Sequence, residues 1–253
     1  MLKACLNGSR LPDEHPALPV TAEQLAEAAA AAAAAGADAV HLHVKDAAGR
    51  DTFDPLLHAA AVTAVRALAP GLPVGVTTGA WAEPDPGTRV RMISSWTVLP
   101  DFASVNWHED GAEEVAAALL GRGIGVEAGL WTPPAVAAWL RSALQDRCLR
   151  VLLEVQDEQP PTGHDSPGST PDDAGVASAK QLLEALGLSE LPVLLHGEGA
   201  TAWPVLQFAR LRGLDVRIGL EDTLVLPDGT PASDSAELVA AALRMAGDCR
   251  SDR

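Results

Sequence analysis

The sequence predicts one domain of the α/β class, a (β/α)8 TIM barrel spanning residues 1–253. Three observations carry that expectation. Strand-like apolar runs alternate with helical patterns eight times. The runs are nearly continuous in apolar residues, as in a parallel sheet covered by helices. A length of 253 residues matches one such barrel, and no break in composition divides it. A doubly wound open sheet is the alternative, but the first strand-to-helix turn lacks the GxGxxG pattern.

In chain order, LKACLNG (2–8) reads as a strand. A helix follows over residues 21–35, opened by a capping-box pair, Thr21 and Gln24, and stopped by Gly36. Its eight consecutive alanines, 28–35, suit a closely packed helix because alanine is the best helix former. The alternation continues with AVHLHV (39–44) before a helix at 54–69, VGVTTG (74–79) before 86–96, and FASVNW (102–107) before 111–121. GVEAGL (125–130) precedes 133–144, LRVLLEV (149–155) precedes 174–186, PVLLHG (192–197) precedes 200–213, and DVRIGL (215–220) precedes 233–246. The connection at 156–175, after the sixth strand, is long and rich in Pro, Gly, Ser and Asp. Such a loop in a compact domain is functional or disordered, so it reads as a candidate lid or a plain mobile loop, with His164 solvated.

Hydrophobic residues make up 47% and charged residues 21%, the balance of a globular protein. The formal net charge of −16 argues against nucleic-acid or anionic-membrane partners. Cys5, Cys148 and Cys249 are too far apart for a disulfide framework or a cysteine zinc site. A polar N-terminus unlike a signal peptide and the lack of a membrane-length apolar run complete the expectation of a cytoplasmic protein.

Barrels keep their chemistry at the C-terminal strand ends, and residues two apart on a strand share a face. His41 and His43 therefore point the same way, an arrangement that suits a divalent metal or a hydrogen-bonded pair of core histidines. On the last strand Arg217, Gly219 and Glu221 share one parity, with Asp222 next. Glu221 can complete a His2Glu metal set with open positions, and Asp222 can act as a base. The alternative is an Arg217–Asp222 ion pair that closes the barrel, since an arginine in an apolar strand must be paired. Asn7, Gly8, Ser9, Thr77, Thr78, Asn106, Glu154, His196 and Glu198 fall at comparable heights. Glu127, between Val126 and Ala128, is conspicuous because an unpaired buried carboxylate is costly. Trp81, Trp107 and Trp131 each follow a strand and are candidates to wall the mouth, whereas Trp96, Trp139 and Trp203 read as helix packing.

The N-terminal Asn-Gly, PVTAEQLAEAA, GADAVHLHVKDAAGRDTFD, VTTGA and VRIGLEDTLVLPDGTPASDSAELV together resemble the β-keto acid cleavage enzymes, the family of 3-keto-5-aminohexanoate cleavage enzyme. The resemblance covers nearly the whole chain. It is most specific at HLHV-K-D-x-x-G and R-I-G-L-E-D. It implies a zinc-dependent barrel, assembled as a homodimer or homotetramer, that turns a β-keto acid and acetyl-CoA into acetoacetate and a new acyl-CoA. It implies zinc on His41, His43 and Glu221, Asp222 as general base, and Arg217 orienting that base. Thr77 matches a residue near the substrate carboxylate, and Glu127 matches a catalytic carboxylate of the fifth strand. Asn7, Ser9, Thr78, Asn106 and His196 are the further candidates for substrate binding.

Where the family carries a glutamate just after the first strand, this chain has Ser9, with Glu14 nearby. LLEVQDE in the sixth strand and HGEGA after the seventh also depart from the family pattern. The added acid of Glu127, Glu154 and Glu198 suits a cationic, amino-bearing β-keto acid. Two other readings compete. An amidohydrolase-like metal hydrolase also uses HxH, but on the first strand and with histidines from the fifth and sixth. A degenerate barrel kept for metal binding or assembly is the other.

Overall fold

The computed structural model describes residues 1–157 and 171–248. The strands are β1 (Leu2–Cys5), β2 (Ala39–Leu42), β3 (Val74–Thr77), β4 (Phe102–Asn106), β5 (Gly125–Leu130), β6 (Arg150–Val155), β7 (Val193–Gly197) and β8 (Val216–Ile218). The helices are α1 (Ala22–Ala34), α2 (Pro55–Leu68), α3 (Pro86–Ser94), α4 (Ala112–Gly121), α5 (Pro133–Leu140), α6 (Pro171–Leu186), α7 (Ala202–Leu211) and α8 (Ser235–Asp248). Among the described residues no helix is long and apolar enough to cross a membrane.

All eight strands are parallel, in the order β7-β6-β5-β4-β3-β2-β1-β8. The ring closes between β7 and β8 through the bridge of Leu194 with Asp215. There Leu195 N–H donates to Asp215 O (3.0 Å) and Asp215 N–H to Val193 O (3.1 Å). The result is the predicted (β/α)8 barrel.

Local chemistry explains the helix starts. Thr21 and Gln24 form the reciprocal capping box of α1. Asp54, Asp85 and Thr132 cap α2, α3 and α5, each followed by a proline whose missing N–H costs nothing in the first turn. Two helix boundaries differ from expectation by more than two residues. The Ser142 hydroxyl accepts from Leu144 N–H, a local bond that competes with helix, so α5 ends at Leu140 and not at residue 144. The α6 helix begins at Pro171, so the last part of the predicted 156–175 loop is helical. His164 and the rest of that loop from residue 158 to 170 lie outside the described residues.

Strand alternation sorts the side chains into two layers. Val40, Leu42, Val74, Val76, Ala103, Val105, Val126 and Ala128 face outward into the main core, against the helices. Trp96 and Trp139 join that core as predicted. So does Trp107, which corrects its assignment to the mouth: it has the parity opposite to Asn106. The opposite faces point into the barrel and are far more polar. Near the N-terminal strand ends, Glu127 pairs with Lys3 and with Arg150 (3.1 Å), and both cations lie over the Phe102 ring.

Candidate functional site

A cavity of about 320 Å³ opens at the C-terminal strand ends. Of the predicted residues, His41, His43, Glu221, Arg217, Ser9, Thr77 and Asn106 line it, as do Glu154 and Glu198. Trp81 and Trp131 wall it.

Five predicted residues do not line the cavity. Glu127 is spent on Lys3 and Arg150 and belongs to the barrel floor. Asn7 is clamped to backbone: it donates to Pro19 O (3.0 Å) and His43 O (2.9 Å) and accepts from His43 N–H (2.9 Å). It therefore holds His43 in place, with both amide hydrogens spent on backbone carbonyls. Thr78 has the outward parity, and its hydroxyl donates to Ser104 O (2.7 Å). His196 and Asp222 are buried one layer behind Arg217.

The three candidate metal ligands converge. His41, His43 and Glu221 each offer a ligand atom within 4.8 Å of the others. His43 Nε2 lies 3.8 Å from Glu221 Oε1, and His41 Nε2 lies 4.0 Å from Glu221 Oε2. Among the described residues, His41 Nδ1 and Glu221 Oε2 are buried without a hydrogen-bond partner. Burial, and then the nearby charges of Lys3, His43 and Arg217, hold the His41 pKa well below the usual histidine value. A neutral imidazole and spare carboxylate lone pairs are what a divalent cation requires, so the residues fit a metal. The backbone makes room for this: Gly8 has φ +58°, and a side chain there would meet Glu221 Cγ at 2.5 Å.

Beside the triad, Arg217 NH2 contacts Glu221 Oε1 (2.9 Å) and Asp222 Oδ1 (2.8 Å), and its Nε donates to the same Asp222 oxygen (3.0 Å). Asp222 Oδ2 is buried and has no hydrogen-bond partner among the described residues. Burial alone would raise the Asp222 pKa, but Arg217 and His196 outweigh it and hold the acid ionised. His196 bridges from Asp222 (3.3 Å) to Glu154 (3.2 Å). Burial and Arg217 push its pKa down, but these two carboxylates more than compensate and raise it. Glu198 has the Arg217 guanidinium 3.9 Å away, too far to offset its surroundings. Burial and the neighbouring Glu154 charge push it up to about 8.

Sequence reasoning missed several contributors. Ser104 shares the parity of Asn106, and Gln156 that of Glu154, so alternation could have found both. Arg10 lines the mouth, donating to Leu220 O (2.6 Å) and Glu14 (3.0 Å), and nothing in the local sequence signals this. Glu109 accepts from Asn106 Nδ2 (2.8 Å) and Ala80 N–H (2.9 Å) and pairs with the buried Arg89, tying the ends of β3 and β4 together. Asp51 contacts His43 Nδ1 (2.7 Å) and Lys45 (2.7 Å). Burial would raise its pKa, but the His43 ring and Lys45 prevail and hold it at about 2.

Solved structures share this architecture. ObcA in a ternary complex with a C4-CoA adduct and oxalate superposes with a TM-score of 0.71 at 19% identity, over 93% of this chain and 65% of that one. ObcA in a binary complex with oxaloacetate gives a TM-score of 0.70 at 20% identity, over 93% and 64%. The chain thus spans less than two thirds of the length of these proteins. At this identity the likeness establishes the fold alone. The comparison with curated proteins gives no match. The β-keto acid cleavage enzyme family matches residues 1–157 and 166–252, a span that holds all three members of the ligand triad as well as Arg217 and Asp222. Over nearly its full length, then, the chain belongs to the β-keto acid cleavage enzyme family.

Proposed function

We propose that this protein is a zinc-dependent enzyme that condenses a β-keto acid with acetyl-CoA, giving acetoacetate and a new acyl-CoA. The observation that carries this reading is the convergence of His41, His43 and Glu221 on a cavity beside Arg217. Zinc bound there would supply Lewis acidity, drawing electron density from the keto and carboxylate oxygens and acidifying the carbon between them. Asp222, kept ionised and with Oδ2 unspent, is the base in this reading; because it lies behind Arg217, it takes that proton once the bound substrate draws the guanidinium aside. Arg217 holds the Asp222 carboxylate in place and offsets negative charge as it develops. Thr77, Ser104 and Asn106 on β3 and β4 supply polar contacts to the substrate, as does Ser9 after β1. The deprotonated carbon attacks the thioester carbonyl and expels coenzyme A thiolate, the thiolate adds to the original keto carbon, and cleavage of the carbon–carbon bond leaves the new acyl-CoA and an acetoacetate carbanion that recovers the proton from Asp222.

The acidic wall suggests the substrate's other end. Glu154 and Glu198 face the cavity from β6 and β7. A substrate ammonium seated between them would relieve the repulsion that pushes Glu198 up. We therefore favour an amino-bearing β-keto acid, handled by a homo-oligomer of two or four copies in the cytoplasm. Light scattering on the purified protein tests the assembly.

The deciding experiment measures metal content in wild type and His41→Ala, then acetoacetate release from acetyl-CoA and a panel of β-keto acids. About one zinc per chain, lost in the variant, with turnover fastest on amino-bearing acids, supports the reading. A wild-type protein without metal sinks the zinc mechanism. Fastest turnover on neutral or acidic acids sinks the amino-substrate assignment.

A further inference from the structure

The stretch after β2 does more than connect. Asp46, Ala47, Ala48, Gly49 and Arg50 form a tight turn, with Gly49 at φ +75° and Asp46 N–H donating to Arg50 O (2.8 Å). The Asp46 carboxylate accepts from Ala48 N–H (2.8 Å) and Arg50 N–H (3.0 Å), closing the turn from within. The chain doubles back so that Asp51 pairs antiparallel with Lys45. This returns the Asp51 carboxylate to the side chain of His43.

The Asp51 side chain is nearly covered, and both its oxygens are engaged. Oδ1 accepts from Lys45 Nζ (2.7 Å). Oδ2 lies 2.7 Å from His43 Nδ1 and accepts from the Trp81 indole N–H at 2.8 Å. With Nδ1 engaged by a carboxylate, His43 keeps Nε2 as its lone-pair nitrogen, and that is the atom facing Glu221. Trp81 lies nearly parallel to the His43 ring, 5.9 Å between centroids and 16° between planes. Gly79 also lies against the indole, where an added Cβ would meet it at 2.2 Å. One carboxylate oxygen therefore serves a candidate metal ligand and the half-exposed tryptophan at the mouth.

We propose that Asp51 is the positioning residue of this centre, coupling the aim of His43 to the seating of Trp81, so that metal loading is felt at the wall of the mouth. The inference rests on the metal reading of His41, His43 and Glu221. It adds two residues of this chain to that centre and a signal by which its occupancy can be followed. Ligating histidines oriented by a carboxylate lose about 10- to 100-fold in metal affinity when that partner is removed.

The test titrates the purified protein with zinc alone, against a chromophoric chelator, in wild type, Asp51→Asn, Trp81→Phe and His41→Ala, while tryptophan emission is recorded. Asp51→Asn is expected to weaken zinc binding about 10- to 100-fold. Trp81→Phe keeps a ring over His43 and loses one hydrogen bond, so it should weaken zinc roughly 2- to 10-fold. It should also abolish the emission change that zinc causes in wild type. Zinc bound tightly by Asp51→Asn but lost in His41→Ala overturns this inference and leaves the metal reading standing. No zinc on the wild type overturns both. Should Asp51→Asn fail to fold, the half-exposed Trp81→Phe decides: unchanged affinity together with an unchanged emission response overturns the proposal.

Discussion

Both ends of the barrel interior bury charge, and they meet its cost in opposite ways. At the N-terminal end Glu127 is held between Lys3 and Arg150, with both cations against the Phe102 ring. Two cations surround one carboxylate, and none of these side chains lines the substrate-sized cavity. At the C-terminal end the proportion is reversed. Arg217 meets Glu221 and Asp222, with Glu198 3.9 Å away, and among the described residues His41 Nδ1, Glu221 Oε2 and Asp222 Oδ2 lack hydrogen-bond partners. Unpaired buried charge costs several kcal/mol, so a cluster in which each charge has a counter-charge beside it is explained by the fold. A cluster that keeps spare lone pairs, and turns Glu221 and Arg217 toward a cavity, is explained by a ligand.

The sharpest way to break this comparison is Asp222→Asn. We expect kcat/KM to fall about 100- to 10,000-fold in the acetoacetate assay, with little change in Tm. A large drop in Tm with the rate retained would make Asp222 the structural equal of Glu127. The matching change at the floor, Glu127→Leu, strands Lys3 and Arg150 and should cost about 3–5 kcal/mol in urea unfolding. Zinc stoichiometry of the folded variant should equal that of wild type. If the metal is lost instead, the two ends are one unit and the contrast fails.

A third prediction separates acid sensitivity of the fold from that of the site. His58 on α2 is buried outside the barrel, stacked on Trp96 at 3.8 Å without a well-formed hydrogen bond. Burial lowers its pKa from 6.5 to about 4. The unfolded chain therefore binds the proton first, and stability is full above about pH 6.5 and falls as pH drops toward 4. The loss is about 3 kcal/mol, and His58→Phe should remove it from the pH dependence of unfolding. An unchanged acid limb in that variant would place the titrating group elsewhere. The smallest effect concerns two neighbours of opposite parity. Thr78→Val should cost about 1 kcal/mol through its lost bond to Ser104 O and leave KM untouched. Thr77→Val should raise KM, because Thr77 lines the cavity. Equal KM effects from both would mean that parity does not separate wall from scaffold.

Much of the site was legible because strand alternation is a local rule. His41 and His43, Arg217 and Glu221, and Thr77 fell on the inner face where their parity put them. What misled was height along the barrel axis. Glu127 has the right parity but the wrong depth, and nothing in GVEAGL tells the floor from the mouth. Asn7 and Thr78 are polar residues at strand ends whose hydrogen bonds go to neighbouring backbone. His196 has the inward parity yet stops behind Arg217, because the guanidinium fills the space in front of it.

By itself the sequence determined the barrel: eight strand-and-helix repeats, Asp-Pro and Thr-Pro helix starts, and the capping box of α1 all follow from short-range chemistry. It determined the HxH pair and its carboxylate by the same period-two rule. Only the tertiary structure decided which buried charges cancel and which stay available. That depends on distances between strands remote in sequence, such as Lys3 from Glu127 or His43 from Glu221, and pairing energy is set by geometry across the barrel, which no local pattern encodes.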